Sequence, residues 1–266
     1  MMSGKAGRVI AVLKRHVYLY PSSPSRLMEI FYWPVLDLLV WGFLTVYLSR
    51  NPGAVAAWTG YLLGAMILWD ILYRSQQAVC ISFLEEIWSR NLLNLFASPL
   101  SPGEFLSATM LLSFVKFLLA SVVTVTLAWA LYSFNIFRLG YYLIPLAGNL
   151  IAMGWTIGII TTAIILRYGE KAEVMAWGLA LLIQPFGCVF YPVSALPSML
   201  RPVAYALPCT YVFEGMREAL SRGEASAQNF WAPIALNALY LAGAWLFFKS
   251  RYRAAQERGL LTKLGE

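Results

Sequence analysis

FLEEIWSRNLLNLFASPLSPGEF, residues 83–105, is the one charged interruption between two long apolar runs of the chain. It opens on the carboxylates of Glu85 and Glu86 and ends in SPLSPG, where two prolines lack the N–H that a helix needs. In between, apolar residues recur at spacings of three and four, which predicts a helix through Phe96 with one apolar face: Ile87, Trp88, Leu92, Leu95 and Phe96. Between two spans, such a piece is either a plain loop on the membrane surface or a docking surface.

The composition indicates an integral membrane protein. Of 266 residues, 60% are hydrophobic and 12% charged, and the mean hydropathy is +0.65. An ordinary soluble domain has about a quarter of its residues charged. The net charge of +7 does not indicate nucleic-acid binding, because the lysines and arginines lie between and beyond the apolar runs, as in membrane topology signals.

Six apolar segments are long enough to cross a bilayer core of about 30 Å, which takes about 20 helical residues. They are residues 30–48, 58–83, 105–134, 141–166, 174–191 and 230–248. Before them, the apolar residues of 4–20 share one helical face, which predicts an interfacial helix within 1–26. We therefore expect an all-α membrane protein with one transmembrane domain over 1–266.

The basic residues predict the orientation of the chain. Thirteen lie on the side of the termini and of the 83–105 loop: Lys5, Arg8, Lys14, Arg15, Arg26, Arg90, Arg167, Lys171, Lys249, Arg251, Arg253, Arg258 and Lys263. Five lie on the opposite side: Arg50, Arg138, Arg201, Arg217 and Arg222. Because the more basic side stays cytoplasmic, both termini and the loop are expected to face the cytoplasm.

Four ionisable residues fall inside predicted spans: Asp37, Asp70, Arg74 and Lys116. Charged groups in a membrane face a bundle interior, a partner or water. Asp70 and Arg74 are four residues apart and can pair on one helix. Lys116 lies roughly 16 Å into its span, within reach of Asp70 or of the interface. The set is interpreted as a structural pair between helices, an ion or proton relay, or, for Lys116, a snorkelling side chain.

The second predicted span carries an aromatic strip. Its members fall in a narrow arc of the helix together with one amide: Trp58, Tyr61, Trp69, Tyr73 and Gln76. Rings and amides together suit the route of an amphiphile or a sugar chain. Helix packing and interfacial anchoring explain the strip equally well.

Prolines mark two further regions. In the fifth predicted span, Gln184 and Pro185 predict a kink, which is either a hinge or an ordinary membrane proline. Residues 192–228 are cut by prolines into pieces too short to span, which predicts short helices in or on the outer leaflet. Cys188 and Cys209 form either a disulfide or two buried thiols.

The sequence contains no motif for catalysis. It has no G-x-x-x-x-G-K-[ST], so the chain builds no phosphate-binding loop of its own. It has no H-E-x-x-H or G-x-S-x-G either, and a single histidine. We expect no catalytic residue, no metal and no cofactor bound by this chain.

Two motifs carry a resemblance to a known family. The first is the acidic start and leucine-rich helix from Glu85 to Leu95, with its SPLS…EF ending at 98–105. The second is FYPVSALP at 190–197, followed by LPCTY at 207–211 and Arg217. In these topological positions they are similar to the permease subunit of the type 2 ATP-binding-cassette exporters, over nearly the whole chain.

The resemblance implies partners and roles. Two copies would pair in the bacterial inner membrane and dock separate cytoplasmic ATPase subunits, which bind ATP and Mg²⁺, so the chain itself would not be an enzyme. Residues 83–105 would be the cytoplasmic coupling loop, and the helix within Glu85 to Phe96 would be the coupling helix, contacting the ATPase through Glu85, Glu86, Trp88, Arg90, Leu92 and Leu95. The first, second and fifth spans would line the substrate route, which puts the aromatic strip, Gln184 and Pro185 on it.

The resemblance leaves the substrate open among an amphiphile, a drug, a lipid and a lipid-linked glycan. From the residues alone, two other classes of protein stay open. One is an ion-coupled secondary transporter that uses the intramembrane charges, and the other is a membrane-embedded enzyme or assembly factor.

Overall fold

The computed structural model describes residues 4–20, 23–50 and 59–259, and within these ranges the chain is helical, without strands. The α-helices are α1 (Lys5–Leu19), α2 (Pro24–Ser49), α3 (Thr59–Trp88), α4 (Leu92–Ala97), α5 (Pro102–Tyr132), α6 (Leu143–Tyr168), α7 (Met175–Ile183), α8 (Arg201–Tyr205), α9 (Pro208–Arg222) and α10 (Ala227–Glu257). The all-α prediction is confirmed for these residues.

Four helices of the described chain are long and apolar enough to cross a membrane: Arg26–Ser49, Pro102–Tyr132, Ile136–Tyr168 and Ala227–Glu257. They coincide with the predicted first, third, fourth and sixth spans. α3 occupies the second, and its 30 residues measure about 45 Å. The count of six spans stays a prediction.

The predicted fifth span is helical over nine residues only, in α7. Nine residues rise about 14 Å, less than half of a bilayer core. The helix ends directly before Gln184 and Pro185, because a proline lacks the N–H and its ring blocks the preceding turn. The expected kink is therefore a helix end. The Tyr191 hydroxyl donates to the Pro185 carbonyl at 2.5 Å, and the chain continues in tight turns.

α6 is the central helix of the bundle. In its apolar window 78% of the residues are buried, against 17–28% in the other three candidate spans. Two glycines let α3 approach it closely. A Cβ on Gly154 would lie 2.5 Å from the Leu72 carbonyl oxygen, and one on Gly158 would lie 2.8 Å from the Val79 Cβ. This spacing of small residues is typical of membrane helix contacts and fixes α3 against the centre.

The segment after α7 is built of short helices, and their position in or on the outer leaflet stays a prediction. Turns of 3-10 helix at Val193–Ala195 and Ser198–Leu200 lead into α8 and α9. The Arg217 guanidinium on α9 donates to the carbonyl oxygens of Cys188 at 2.9 Å and Val189 at 3.2 Å, which fastens the turns to the helix. The three cysteines are free and buried, so Cys188 and Cys209 are two buried thiols and form no disulfide in this structure.

Candidate functional site

A cavity of about 1150 Å³ lies between α2, α3 and α7. α3 supplies most of the wall through residues that recur every three or four positions: Met66, Trp69, Asp70, Tyr73, Arg74, Gln77, Ile81, Glu85, Trp88 and Ser89. These residues share one helix face. From Met66 to Trp88 the face extends about 33 Å, so the cavity runs along nearly the whole thickness of a bilayer core.

The other two walls carry four aromatic rings. α2 and its N-cap contribute five residues, and α7 with the turns after it contributes four: Ser23, Arg26, Trp33, Asp37, Trp41, Trp177, Leu181, Gln184 and Phe190. The Trp41 ring stacks on Phe190, with 4.1 Å between the centroids. This stack joins α2 to the turns at the end of the cavity farthest from Trp88. Aromatic walls of this kind suit an apolar or amphiphilic molecule.

The cavity lining carries five charged side chains, and four of them form ion pairs. Arg74 Nε lies 3.0 Å from Asp70 Oδ1. Arg26 Nε lies 2.9 Å from Glu85 Oε1. Asp37 forms no hydrogen bond or ion pair with any described residue. Asp37 is therefore the one charged group of the lining that lies outside these ion pairs.

Three predicted route residues, Trp69, Tyr73 and Gln184, line this cavity. The rings of Trp69 and Tyr73 stack with their centroids 6.5 Å apart. Pro185 follows Gln184 and ends α7. Trp58, the first residue of the predicted strip, lies outside the described residues.

The two other members of the strip lie elsewhere. Gln76 is buried among helices, and its Nε2 donates to the Ala176 carbonyl at 2.9 Å, so it fastens α3 to α7. Tyr61 packs half-buried against the hydrophobic core. These two side chains do not line the cavity, because the strip is wider than the part of α3 that faces it. Their place on the substrate route stays a prediction.

The predicted intramembrane charges occupy neighbouring positions on three helices. Asp70 and Arg74 form the expected pair on α3, and Asp37 faces the same cavity from α2. Lys116 on α5 lies beside Arg74 in a small pocket. Its ammonium is 4.9 Å from the centroid of the Tyr20 ring, at the end of α1. Lys116 itself is buried, and the choice among its alternatives stays a prediction.

The loop after α3 begins with a break in the helix. Arg90 has φ +53, in the left-handed region that residues other than glycine seldom adopt. It separates α3 from α4, so the predicted single helix through Phe96 is two helices. Glu86 supports the break, because its Oε2 accepts a hydrogen bond of 2.6 Å from Asn91 Nδ2.

α4 turns its apolar face into the protein. Leu92 and Leu95 are 0% and 8% exposed and pack in one core cluster with Val12 of α1. Glu86 is also buried, at 2%. These three predicted docking residues are thus covered by the chain itself.

A different set of residues is exposed at the loop. Trp88 and Leu93 are 46% and 43% exposed, respectively. We call the following residues the exposed loop face: Trp88, Ser89, Arg90, Leu93, Asn94, Ala97, Ser98 and Pro99. Of the six predicted docking residues, it contains Trp88 and Arg90.

Three arginines near the N-terminus bind the carboxylates around the loop. We call this set the arginine clamp, and its pairs are Arg8–Glu104 at 2.6 Å, Arg15–Glu86 at 2.7 Å and Arg26–Glu85 at 2.9 Å. The hydrogen bond from Arg8 to Glu104 raises the pKa of that guanidinium above its ordinary value. Glu104 also closes a capping box with Ser101 at the start of α5. The clamp joins α1 and the start of α2 to both ends of the loop.

Sequence reasoning assigned these arginines to membrane topology only and missed their partners. Two signals were present in the sequence. Arg8 and Arg15 are seven residues apart, which puts them on the same side of a helix. Ser101 and Glu104 have the spacing of a capping box.

The cavity and the exposed loop face meet at Trp88 and Ser89, which belong to both. The Trp88 Nε1 donates to Glu173 Oε2 at 3.4 Å, across to the connection between α6 and α7. The site therefore consists of a long aromatic cavity whose loop end reaches the surface beside α4.

Among the described residues, no group of His, Cys, Asp and Glu could hold a metal ion. A family model described as "ABC-2 type transporter" matches residues 9–221. The search of curated proteins found no match.

Proposed function

We propose, from the premise that the chain belongs to the ABC-2 type transporter family, that it is the membrane subunit of an ATP-driven exporter. Family membership makes it a membrane component of an ATP-binding-cassette transporter. In our proposal, two copies form the substrate route, and separate ATPase subunits supply the energy from the cytoplasm. The route carries an amphiphilic substrate.

The observation that carries the proposal is the cavity along α3. It extends about 33 Å, has aromatic walls and ends at the loop surface beside Trp88. Asp37 is exposed on its wall in the single chain. A carboxylate at this depth needs water or protein around it, which favours an aqueous route completed by a second copy.

The exposed loop face is the proposed ATPase docking surface. It offers a half-exposed Trp88, an apolar Leu93 and the charge of Arg90. Aromatic and arginine side chains are the usual anchors of protein interfaces. Leu92 and Leu95 act behind this face, because they hold α4 on the core cluster. A push on α4 would reach α1 through the core cluster that Leu92 and Leu95 share with Val12, and the Arg15–Glu86 pair of the clamp would pass it from α1 to α3.

The location we propose is the bacterial inner membrane with both termini in the cytoplasm. The excess of basic residues on the side of the loop supports this orientation. The ATPases and the exposed loop face are then on the same side of the membrane.

The test is a double substitution, Trp88→Asp with Leu93→Asp, in the chain co-expressed with its cognate ATPase. Both side chains are exposed, so the variant should fold and keep the size-exclusion profile of the wild type. We expect co-purification of the ATPase and transport-dependent ATP hydrolysis to fall at least tenfold, because two apolar anchors become charged.

The matched control is Met199→Asp, an exposed apolar residue in the segment after α7. It should leave ATPase co-purification unchanged. Wild-type ATPase binding by the Trp88→Asp/Leu93→Asp variant would show that the exposed loop face is only a loop surface, and the docking proposal would fail.

A further inference from the structure

Asp37 lies halfway along a candidate span. It follows the first residue of that span, Arg26, by 11 positions, which is about 16 Å along the helix. Its side chain is exposed on the cavity wall. A carboxylate at this depth is costly unless a positive charge or water faces it. The described part of the chain offers it no ion-pair partner.

The other charges of the lining are balanced. The Arg74 guanidinium is 3.0 Å from Asp70, and the Arg26 guanidinium is 2.9 Å from Glu85. The fifth charged group, Asp37, has no ion pair among the described residues, although Arg74 also acts on it electrostatically. A ligand with one positive charge near the middle of α2 would therefore give Asp37 a direct partner.

Aromatic rings surround this position. Trp33 and Trp41 lie one turn before and one turn after Asp37 on the same face of α2, and Trp69 and Tyr73 belong to the same cavity lining. Ring faces attract cations, and most strongly organic cations that shed water easily. A metal ion would need several oxygen ligands, whereas the surroundings of Asp37 are mainly rings.

From this geometry we infer that the cavity binds an amphiphilic organic cation, with its charge at Asp37 and its apolar part between the tryptophans of α2 and the aromatic residues of α3. The inference rests on the proposed function and specifies the class of substrate. Of the substrates that the sequence left open, it favours a cationic amphiphile over an anionic lipid or a lipid-linked glycan.

The experiment compares two probes of nearly equal size and shape, tetraphenylphosphonium and tetraphenylborate, which differ in the sign of their charge. Each radiolabelled probe is bound at equilibrium to the purified full chain in nanodiscs of zwitterionic lipid, and binding to empty nanodiscs is subtracted. We expect the wild-type chain to bind the cation at least about tenfold more tightly than the anion.

Two variants and one control locate the site. Asp37→Asn keeps the size of an exposed side chain and should remove the preference for the cation. Trp33→Leu keeps the carboxylate and should weaken cation binding about threefold, so that the preference for the cation becomes smaller without being lost. Glu224→Gln removes an exposed carboxylate outside the cavity and should bind like the wild type.

Equal binding of the two probes by the wild-type chain would overturn the inference. Unchanged cation binding by Asp37→Asn would also overturn it, and is the outcome expected if a basic residue of a second copy neutralises Asp37. Both measurements use the chain without an ATPase. Their failure would leave the docking proposal intact, and a failure to bind ATPase would leave the cation site intact.

Discussion

Substitution of Gly154 by alanine tests how closely α3 and α6 must approach to build the cavity wall. The new Cβ would lie 2.5 Å from the Leu72 carbonyl oxygen and 2.7 Å from the Ser75 Cβ. Ordinary contact begins near 3.4 Å, so α3 must move by about 0.9 Å. The obstacle is backbone, which cannot rotate away. We expect a steric cost of about 1–3 kcal/mol.

Gly148→Ala is the matched control, because Gly148 lies on the same helix and a Cβ there would meet nothing within 4 Å. Both substitutions gain about 0.5–1 kcal/mol in helix propensity, and this gain cancels in the comparison. The difference between the two variants is therefore the steric cost alone. We expect Gly154→Ala to melt below Gly148→Ala by about 2–4 °C for each kcal/mol.

The assay is thermal unfolding in one detergent, followed by size-exclusion chromatography of the heated samples. Equal melting temperatures for Gly154→Ala and Gly148→Ala would refute the reasoning, because they would show that α3 is not held against α6 at this glycine. A result of that kind would also remove the support for the α3 wall of the cavity.

Three other predictions concern the clamp, the turns after α7 and the thiols. Glu86→Gln should weaken the bond to Arg15 by about 1–3 kcal/mol and speed tryptic cleavage within α1. Arg217→Met should leave two buried carbonyl oxygens unbonded and lower the melting temperature by several degrees, whereas Arg222→Met, at an exposed position, should not. Burial raises the pKa of Cys209 to about 12, so its thiol should react with maleimide only after unfolding.

Each of these predictions has a clear contrary outcome. Wild-type rates of tryptic cleavage in Glu86→Gln would mean that α1 is held by other contacts. Equal melting of the two arginine variants would show that α9 does not hold the turns. Labelling of Cys209 in the folded chain at neutral pH would contradict its burial.

The lengths of the apolar runs predicted the long helices well. In a bilayer, a segment of about 20 apolar residues must satisfy its backbone hydrogen bonds internally, and a helix does so. α2, α5, α6 and α10 lie where the apolar runs placed them. The segment 174–191 is equally apolar, yet its helix has nine residues only. There Pro185 ends the helix despite the apolar sequence, because it lacks the N–H of one helical hydrogen bond and its ring clashes with the preceding turn. The helix can end here because the turns that follow make hydrogen bonds of their own.

The sequence showed that the loop is amphipathic, but it did not show which way the apolar face points. Spacing shows that Leu92 and Leu95 share a face, and it does not show whether that face meets a partner or the protein's own core. The answer depends on Val12, about eighty residues earlier in the chain, which shares their cluster. Likewise, the aromatic strip on α3 was visible in the sequence, whereas the position of α7 decides which of its members face the cavity.

The arginine clamp should hold α1 against the other helices even at high salt. In each pair the carboxylate is the more deeply buried partner and the guanidinium the more exposed one. Salt screens charges in solvent strongly and buried charges weakly. Tryptic cleavage within α1 should therefore be about as slow at high salt as at low salt. By this measure α1 is an integral piece of the fold, although it is amphipathic.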